Sequence, residues 1–443
     1  MPPVPTATDP AVAALRAAGL LGAEADAAPA AAPSTPPPDR DVVAPDAPLL
    51  LAVDGNSLLH RAHHAHAAGD HRDAAGRPVW ALRGVVTLIA GAAARLTPDA
   101  LVVGFDCSTS SVRREQHPAY KAHRPDKHPD LRAQLDDAPA LLAAAGLPVV
   151  VAEGLEADDV LASAAALARR SGWRCTAVTS DRDSFALVDG STSVLRVLNG
   201  GMAGSPVLTP RTLPLVTGVR AGQYRCLAAL RGDTSDNLPG APGIGPKTAA
   251  RLLAAFDGVD DVYAAIDDGR EDEVLAAVGP GALARLRTDE ARDNVARNQR
   301  LMAMREDIAL PPVEDLRLPL DLARLQAALG ARDVRLGPSL WALVGGAPPA
   351  DRGPVLPAWV DEVGPHQVGG DEIPLPAGPP AEEGEAPPDP GRPASAGRVA
   401  GPAGVATVPA QAPPAEPDHV PMGARGLARA RREPAEDQLD LFA

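Results

Sequence analysis

The stretch Gly154-Leu155-Glu156-Ala157-Asp158-Asp159-Val160 puts three carboxylates into four residues. They stand just before Val160, Leu161, Ala164 and Leu167, an apolar series at helical spacing. The acids therefore open a helix. Glu156 and Asp159 are three residues apart and share a face, and a helix N-terminus tolerates negative charge. Acids favour first turns in many proteins, but three on one turn repel one another unless something cationic sits among them. A hard divalent ion held through oxygen is the usual answer.

Working outward, Leu49–Asp54 and Leu101–Asp106 are continuous apolar runs that read as buried parallel strands, each ending in an aspartate. A third strand around Pro148–Val151 leads into the Glu156 turn. A fourth, Cys175–Thr179, runs into Ser180-Asp181-Arg182-Asp183. Helical spacing at Leu58, Leu59 and Ala62 and across Leu82–Leu96 fills the intervals, so the pattern predicts a parallel α/β sheet with right-handed crossovers. Ligands of such sheets bind at the carboxyl ends of the strands. Asp54, Asp106, the Glu156 cluster, Asp181 and Asp183 all fall at that edge, which predicts a multi-carboxylate metal site.

The 443 residues suffice for two or three domains. Aromatics make up 2%, so the core must be aliphatic. Cys107, Cys175 and Cys226 have neither zinc spacing nor disulfide density, which suits a reducing cytoplasm. The opening residues lack the basic region and apolar core expected of a signal peptide, and no run of about 18 apolar residues occurs. The net charge of −15 sits mostly in the tails. Residues 1–46 and 344–443 together hold 21 acids and 9 bases, which leaves 36 acids and 33 bases in the middle. A middle segment that clusters acids must carry its bases elsewhere, which leaves room for a basic binding face.

Between Cys107 and Arg132 the composition turns basic: Arg113, Arg114, Lys121, Arg124, Lys127 and Arg132, with His117, His123 and His128 and with Tyr120 interleaved. Phosphate contacts plus base stacking is the functional reading of that mixture. Further on, Gly232-Asp233-Thr-Ser235-Asp236-Asn237 adds two acids on a turn. Gly243-Ile244-Gly245-Pro246-Lys247 then starts a helix over Thr248–Phe256, exposing backbone N–H groups that can seat a phosphate. The Ala/Pro-rich residues 1–46 and the Pro/Ala/Gly-rich residues 344–437 read as disordered, with a short helix around Val12–Leu21. The chain closes on Gln438-Leu439-Asp440-Leu441-Phe442-Ala443, an apolar tail suited to a hydrophobic groove on a partner.

Val53-Asp54-Gly55, Phe105-Asp106, Glu156-Ala-Asp158-Asp159, Ser180-Asp181-Arg-Asp183, Gly232-Asp233-Thr-Ser-Asp236-Asn and Pro242-Gly243-Ile-Gly245-x-Lys247-Thr-Ala together resemble the bacterial flap endonuclease / 5′→3′ exonuclease family. That family includes the N-terminal nuclease domain of DNA polymerase I. The resemblance runs from about Leu49 to Leu343. It implies a PIN-like nuclease core over 47–220 with a helical arch at about 107–135, then a helix–three-turn–helix DNA-binding module and a return to the core over 221–343. It implies that Asp54, Asp106, Glu156, Asp158, Asp159, Asp181, Asp183, Asp233 and Asp236 hold two divalent ions, Mg²⁺ or Mn²⁺, with Asp181 also a catalytic position. Lys121 and Arg124 would face the scissile phosphate, Tyr120 would stack on a base, and Arg113 would be a further arch base. Gly243, Gly245 and Lys247 would grip duplex backbone, with K⁺ near Ser235. Residues 438–443, through Gln438, Leu439, Leu441 and Phe442, are similar to a sliding-clamp-binding pentapeptide. His60, His63 and Val112 depart from the family's aromatic positions and carry no catalytic assignment. The segment beyond Leu343 is too short and too biased for a polymerase domain.

The resulting expectation is a monomeric, nucleoid-associated, metal-dependent 5′ nuclease acting on 5′-flap, nicked or gapped DNA in replication and repair. Two alternatives are a PIN-type ribonuclease and a non-catalytic DNA-junction-binding protein. The first needs fewer acids and lacks the hairpin module; the second would have lost metal acids that this sequence retains.

Overall fold

Six strands form one sheet in the computed structural model, which describes residues 10–21, 43–66, 70–199, 201–335 and 337–348. In chain order they are β1 (Leu49–Asp54), β2 (Ala100–Phe105), β3 (Val149–Val151), β4 (Arg174–Thr179), β5 (Thr192–Arg196) and β6 (Val207–Leu208). In space the order is β3-β2-β1-β4-β5-β6, parallel except for β6. The chain runs outward from β1 through β2 to β3, then returns to the other side of β1 with β4. That reversal opens a crevice at the carboxyl ends of β1 and β4. β5 and β6 were not foreseen from the sequence, and both lie on one flank of the sheet.

Side chains alternate along β1, so Leu50 and Ala52 face one layer and Leu49, Leu51 and Val53 the other. All five are buried. Among the early helices are α1 (Pro10–Ala17), α2 (Gly55–His66) and α3 (Trp80–Leu96). Leu82, Val85 and Ile89 of α3 cover the second layer. The short helix expected around Val12–Leu21 is α1, which begins two residues earlier and ends at Ala17, and its Leu15 is buried in the first layer.

Next come α4 (Val112–Gln116), α5 (Pro129–Ala144) and α6 (Ala157–Arg170). α6 lies against the sheet closely enough that a Cβ on Gly104 would stand 2.8 Å from Val160 Cβ. Glycine in β2 thus sets the depth at which the acidic first turn of α6 meets the sheet edge.

The remaining helices are α7 (Leu213–Thr217) and α8 (Tyr224–Arg231), then α9 (Pro246–Ala255), α10 (Val259–Asp267), α11 (Glu271–Val278), α12 (Pro280–Leu286), α13 (Asp289–Leu301) and α14 (Leu322–Gly330). A short hairpin, β7 (Gly232–Asp233) with β8 (Leu238–Pro239), separates α8 from α9. Gly232 there has φ +77, and a Cβ on it would stand 2.3 Å from Gly240 N, so only glycine fits. After α13 the chain returns to the sheet, where Leu101 N–H donates to Leu316 O and Leu318 N–H to Asp99 O. No helix among the described residues is long and apolar enough to cross a membrane. The linker beyond residue 348 and the tail Gln438–Ala443 lie outside the described residues.

Candidate nuclease site

Asp54 ends β1 nearly buried. Its Oδ1 accepts from Ser57 N–H (2.8 Å) and its Oδ2 from the Thr179 hydroxyl at the end of β4 (2.8 Å). Asp106, just past β2, exchanges bonds with Asn56: Asn56 Nδ2 donates to Oδ2 (2.8 Å) and Asp106 N–H donates to Asn56 Oδ1 (3.0 Å). Asp106 Oδ1 also accepts from Ala157 N–H, the first residue of α6 (2.9 Å). The helix N-terminus thereby holds the strand-end acid. Asp158 Oδ1 accepts from the Ser184 hydroxyl (3.0 Å), and Asp181 Oδ1 from Asp183 N–H (3.0 Å).

Burial pushes the Asp54 carboxyl from its ordinary 3.8 up to about 7, and Asp106 and Asp181 add to the rise. Burial also lifts Asp158 well above the usual carboxylate range, with Asp54, Asp181 and Asp183 adding their repulsion. Asp183 rises to about 7 through burial and then Asp181, Asp233 and Asp236. Burial first and the neighbouring carboxylates second thus disfavour the anions of Asp54, Asp158 and Asp183, a cost that a cation would relieve.

Three of the sequence's basic residues already sit on this cluster, among them Arg113, whose Nη1 lies 3.4 Å from Glu156 Oε2. Lys121 Nζ donates to Glu156 Oε2 (3.0 Å) and lies 3.9 Å from Asp236 Oδ2. Arg124, half-exposed, bonds Asp236 Oδ1. Lys121 N–H also donates to Asp236 O, and Lys121 takes the left-handed conformation at φ +54. Glu156, Asp158, Asp183 and Asp236 line a cavity of about 20 Å³, room for one water-sized guest. Among the described residues, no three acid, histidine or cysteine side chains close around one point. The Lys121 and Arg124 cations occupy Glu156 and Asp236 instead.

Three expectations are corrected by this geometry. Asp159 does not face the cluster. It is fully buried, its Oδ2 and Oδ1 accept from Arg113 Nη1 (2.7 Å) and Nη2 (2.8 Å), and they also accept from the backbone N–H groups of Glu156 and Arg305. Each of its oxygens accepts two hydrogen bonds, so in this structure it faces Arg113 and the backbone rather than the other acids. Arg113 is correspondingly buried, with Nε donating to Leu301 O (2.8 Å), and is not an exposed arch base. Although burial alone would lower its pKa, the bonds to Asp159 raise it. Tyr120 is 4% exposed, packed with Leu238 and Leu301 and donating to Glu156 Oε2 (3.1 Å), so its ring is not free to stack on a base. Arg113→Ala is expected to destabilise the fold by roughly 3–5 kcal/mol, because it strands a buried carboxylate. A wild-type melting temperature in that variant would contradict the buried pair.

The hairpin module stands at the same edge. Ser235 hydroxyl donates to Asp233 Oδ1 (2.6 Å), and Asn237 Nδ2 to Ala119 O (2.8 Å). Gly243, Gly245 and Lys247 are exposed beside a groove of about 480 Å³ lined by Arg231, Gly240, Glu290 and Asn294. Ile244, 3% exposed, anchors the turn between the two glycines. Sequence reading missed Asn56, Thr179, Ser184 and Arg305, which orient the acids. Asn56 directly follows the Asp54-Gly55 motif and could have been singled out, whereas Arg305 carries no local signal.

Residues 49–211 match the N-terminal resolvase-like domain of the 5′-3′ exonuclease family, and residues 219–321 match its C-terminal SAM fold. Over those residues the chain belongs to that family. It is 33% identical over 268 residues to DNA polymerase I of Mycobacterium tuberculosis, covering 60% of this chain and 28% of that protein. To DNA polymerase I of Mycobacterium leprae it is 35% identical over 280 residues, covering 63% and 29%. The chain thus spans under a third of the length of these relatives. A solved structure of T5 5′-exonuclease with bound zinc is similar at TM-score 0.45 and 23% identity, over 57% of this chain and 89% of that one.

Proposed function

We propose that this chain is a structure-specific 5′ nuclease that hydrolyses DNA phosphodiesters at 5′ ends and flaps in replication and repair. The observation that carries the proposal is the set of uncompensated acids at the β1/β4 crevice, flanked by Lys121 and Arg124. An all-oxygen donor set fits hard divalent ions, Mg²⁺ or Mn²⁺. Asp54, Asp106, Glu156, Asp158, Asp181 and Asp183, with Asp233 and Asp236, would hold them directly or through water. Bound there, such ions supply activation of the attacking water and stabilisation of the leaving oxygen.

The chain's own residues do the rest. Lys121 and Arg124 exchange their carboxylate partners for the oxygens of the scissile phosphate, keep their charge throughout, and stabilise charge that grows in the transition state. Tyr120 and the Arg113–Asp159 pair hold the loop that presents them. Gly243, Gly245 and Lys247 receive duplex backbone through N–H groups ahead of α9, with a monovalent cation such as K⁺ seated near Ser235. The C-terminal Gln438–Phe442 segment docks on a sliding clamp.

The test is cleavage of a 5′-labelled double-flap DNA with Mg²⁺ and with EDTA, beside a matching single-stranded RNA. Metal-dependent release of a product ending at the junction is expected. Binding without cutting would instead make the chain a junction-binding protein, and cutting of RNA alone would make it a ribonuclease.

A further inference from the structure

Arg196 closes β5 with a side chain that has no part in the nuclease chemistry of the acids, Lys121 and Arg124. It is 9% exposed, and its Nε and Nη1 are buried without a hydrogen-bond acceptor. In the sheet it pairs with Thr179, the residue whose hydroxyl holds Asp54. It therefore stands at the acidic edge, on the β5 flank, whereas Glu156 with its cations follows β3. Its guanidinium carbon is 5.5 Å from the centroid of Phe185, so one face is covered by an apolar ring.

Burial pushes the pKa of Arg196 below the ordinary value, and Arg182 and Arg61, within electrostatic reach, add to that; nearby Tyr224 and Asp181 offset it only in part. Arg182 is exposed, and Arg61 donates to the amide oxygen of Asn199 (2.8 Å), which carries no charge. A buried guanidinium with unspent donors beside two like charges is costly unless an anion joins it. The planar fork of an arginine matches phosphate oxygens in particular.

We propose that Arg196, with Arg182 and Arg61, forms a second phosphate subsite that takes a backbone phosphate of the bound strand on the β5 flank of the acids. The subsite rests on the nuclease reading only for the identity of that phosphate. From the end of β2 to the end of β5 is three interstrand spacings, roughly 14 Å. One phosphate cannot serve both that flank and Lys121, so the strand must cross the acids to reach both.

The experiment compares wild type with Arg196→Met, which keeps most of the volume over Phe185 and removes the charge, and with Arg196→Lys. Fluorescence anisotropy of a nicked 5′-flap DNA is measured in EDTA across a salt series. Met is expected to weaken binding roughly 5–10-fold and to lower the slope of log K against log salt by about one, with Lys restoring the slope. Its melting temperature should equal or exceed that of wild type, since an unpaired buried charge is gone. If wild type binds and Met binds equally with the same slope, the subsite is overturned. Stabilisation of wild type but not Met by millimolar inorganic phosphate, with an unchanged DNA slope, would overturn the strand assignment in favour of free phosphate. Failure of wild type to bind DNA would overturn the nuclease reading instead.

Discussion

Asp158→Asn is expected to slow flap cleavage by at least roughly 10²–10³-fold while raising the melting temperature of the metal-free protein. The two effects have one origin. Asp158 is held well above the ordinary carboxylate range by burial and by Asp54, Asp181 and Asp183, so its negative charge opposes folding until a cation joins it. Asparagine keeps the oxygen that accepts from Ser184 and removes the charge. The folded state gains what burying the charge beside its neighbours had cost, a few degrees for a domain of this size. Single-turnover cleavage in Mg²⁺ and thermal melting in EDTA measure the pair of effects. Unchanged cleavage would remove Asp158 from the metal set. A lower melting temperature would show that the carboxylate is already neutralised by the protein's own cations.

The strand ends were legible because buried parallel strands leave a local signature. Leu49–Val53 is apolar throughout, all six residues of Leu49–Asp54 are buried, and the terminal acid has nowhere to point but the crevice. The first turn of α6 was equally legible from three acids ahead of an apolar helical face. What one strand cannot reveal is which acid faces which neighbour. Asp158 and Asp159 are adjacent in sequence, yet their side chains part, one toward Ser184 and the other into Arg113 and the backbone of Arg305, 146 residues away. No local pattern separates them, because the separation is made by a chain segment that arrives after the whole helical module. Tyr120 was misread for the same reason: its burial depends on Leu238 and Leu301. β5 and Arg196 went unseen because Thr192–Arg196 is short and carries no motif, although it lies beside the strand that forms half of the crevice.

Magnesium is expected to stabilise the protein more at neutral pH than at pH 4, with the increment growing across that interval. An acid whose pKa rises on folding keeps its proton in the folded state at pH values where the unfolded chain has lost it. Its contribution to stability therefore falls as pH rises from about 3.8 to the folded value. For Asp54 that interval runs from 3.8 to about 7 and corresponds to roughly 4 kcal/mol at most; Asp183 acts in the same direction over the same interval. The total pH profile is not diagnostic, because His60 works against them. Burial, with Lys127 and His64, lowers His60 from 6.5 to about 4, so its contribution rises with pH between those values. Asp73, lowered to about 2, acts only below that range. The difference between melting temperatures in Mg²⁺ and in EDTA isolates the acids, since a hard ion competes with their protons and has little affinity for imidazole. That difference should be near zero at pH 4 and reach several degrees by pH 7, and Asp54→Asn should flatten it. A difference independent of pH from 4 to 8 would mean that the ion binds outside the β1/β4 crevice, and the acids at those strand ends would then need another explanation.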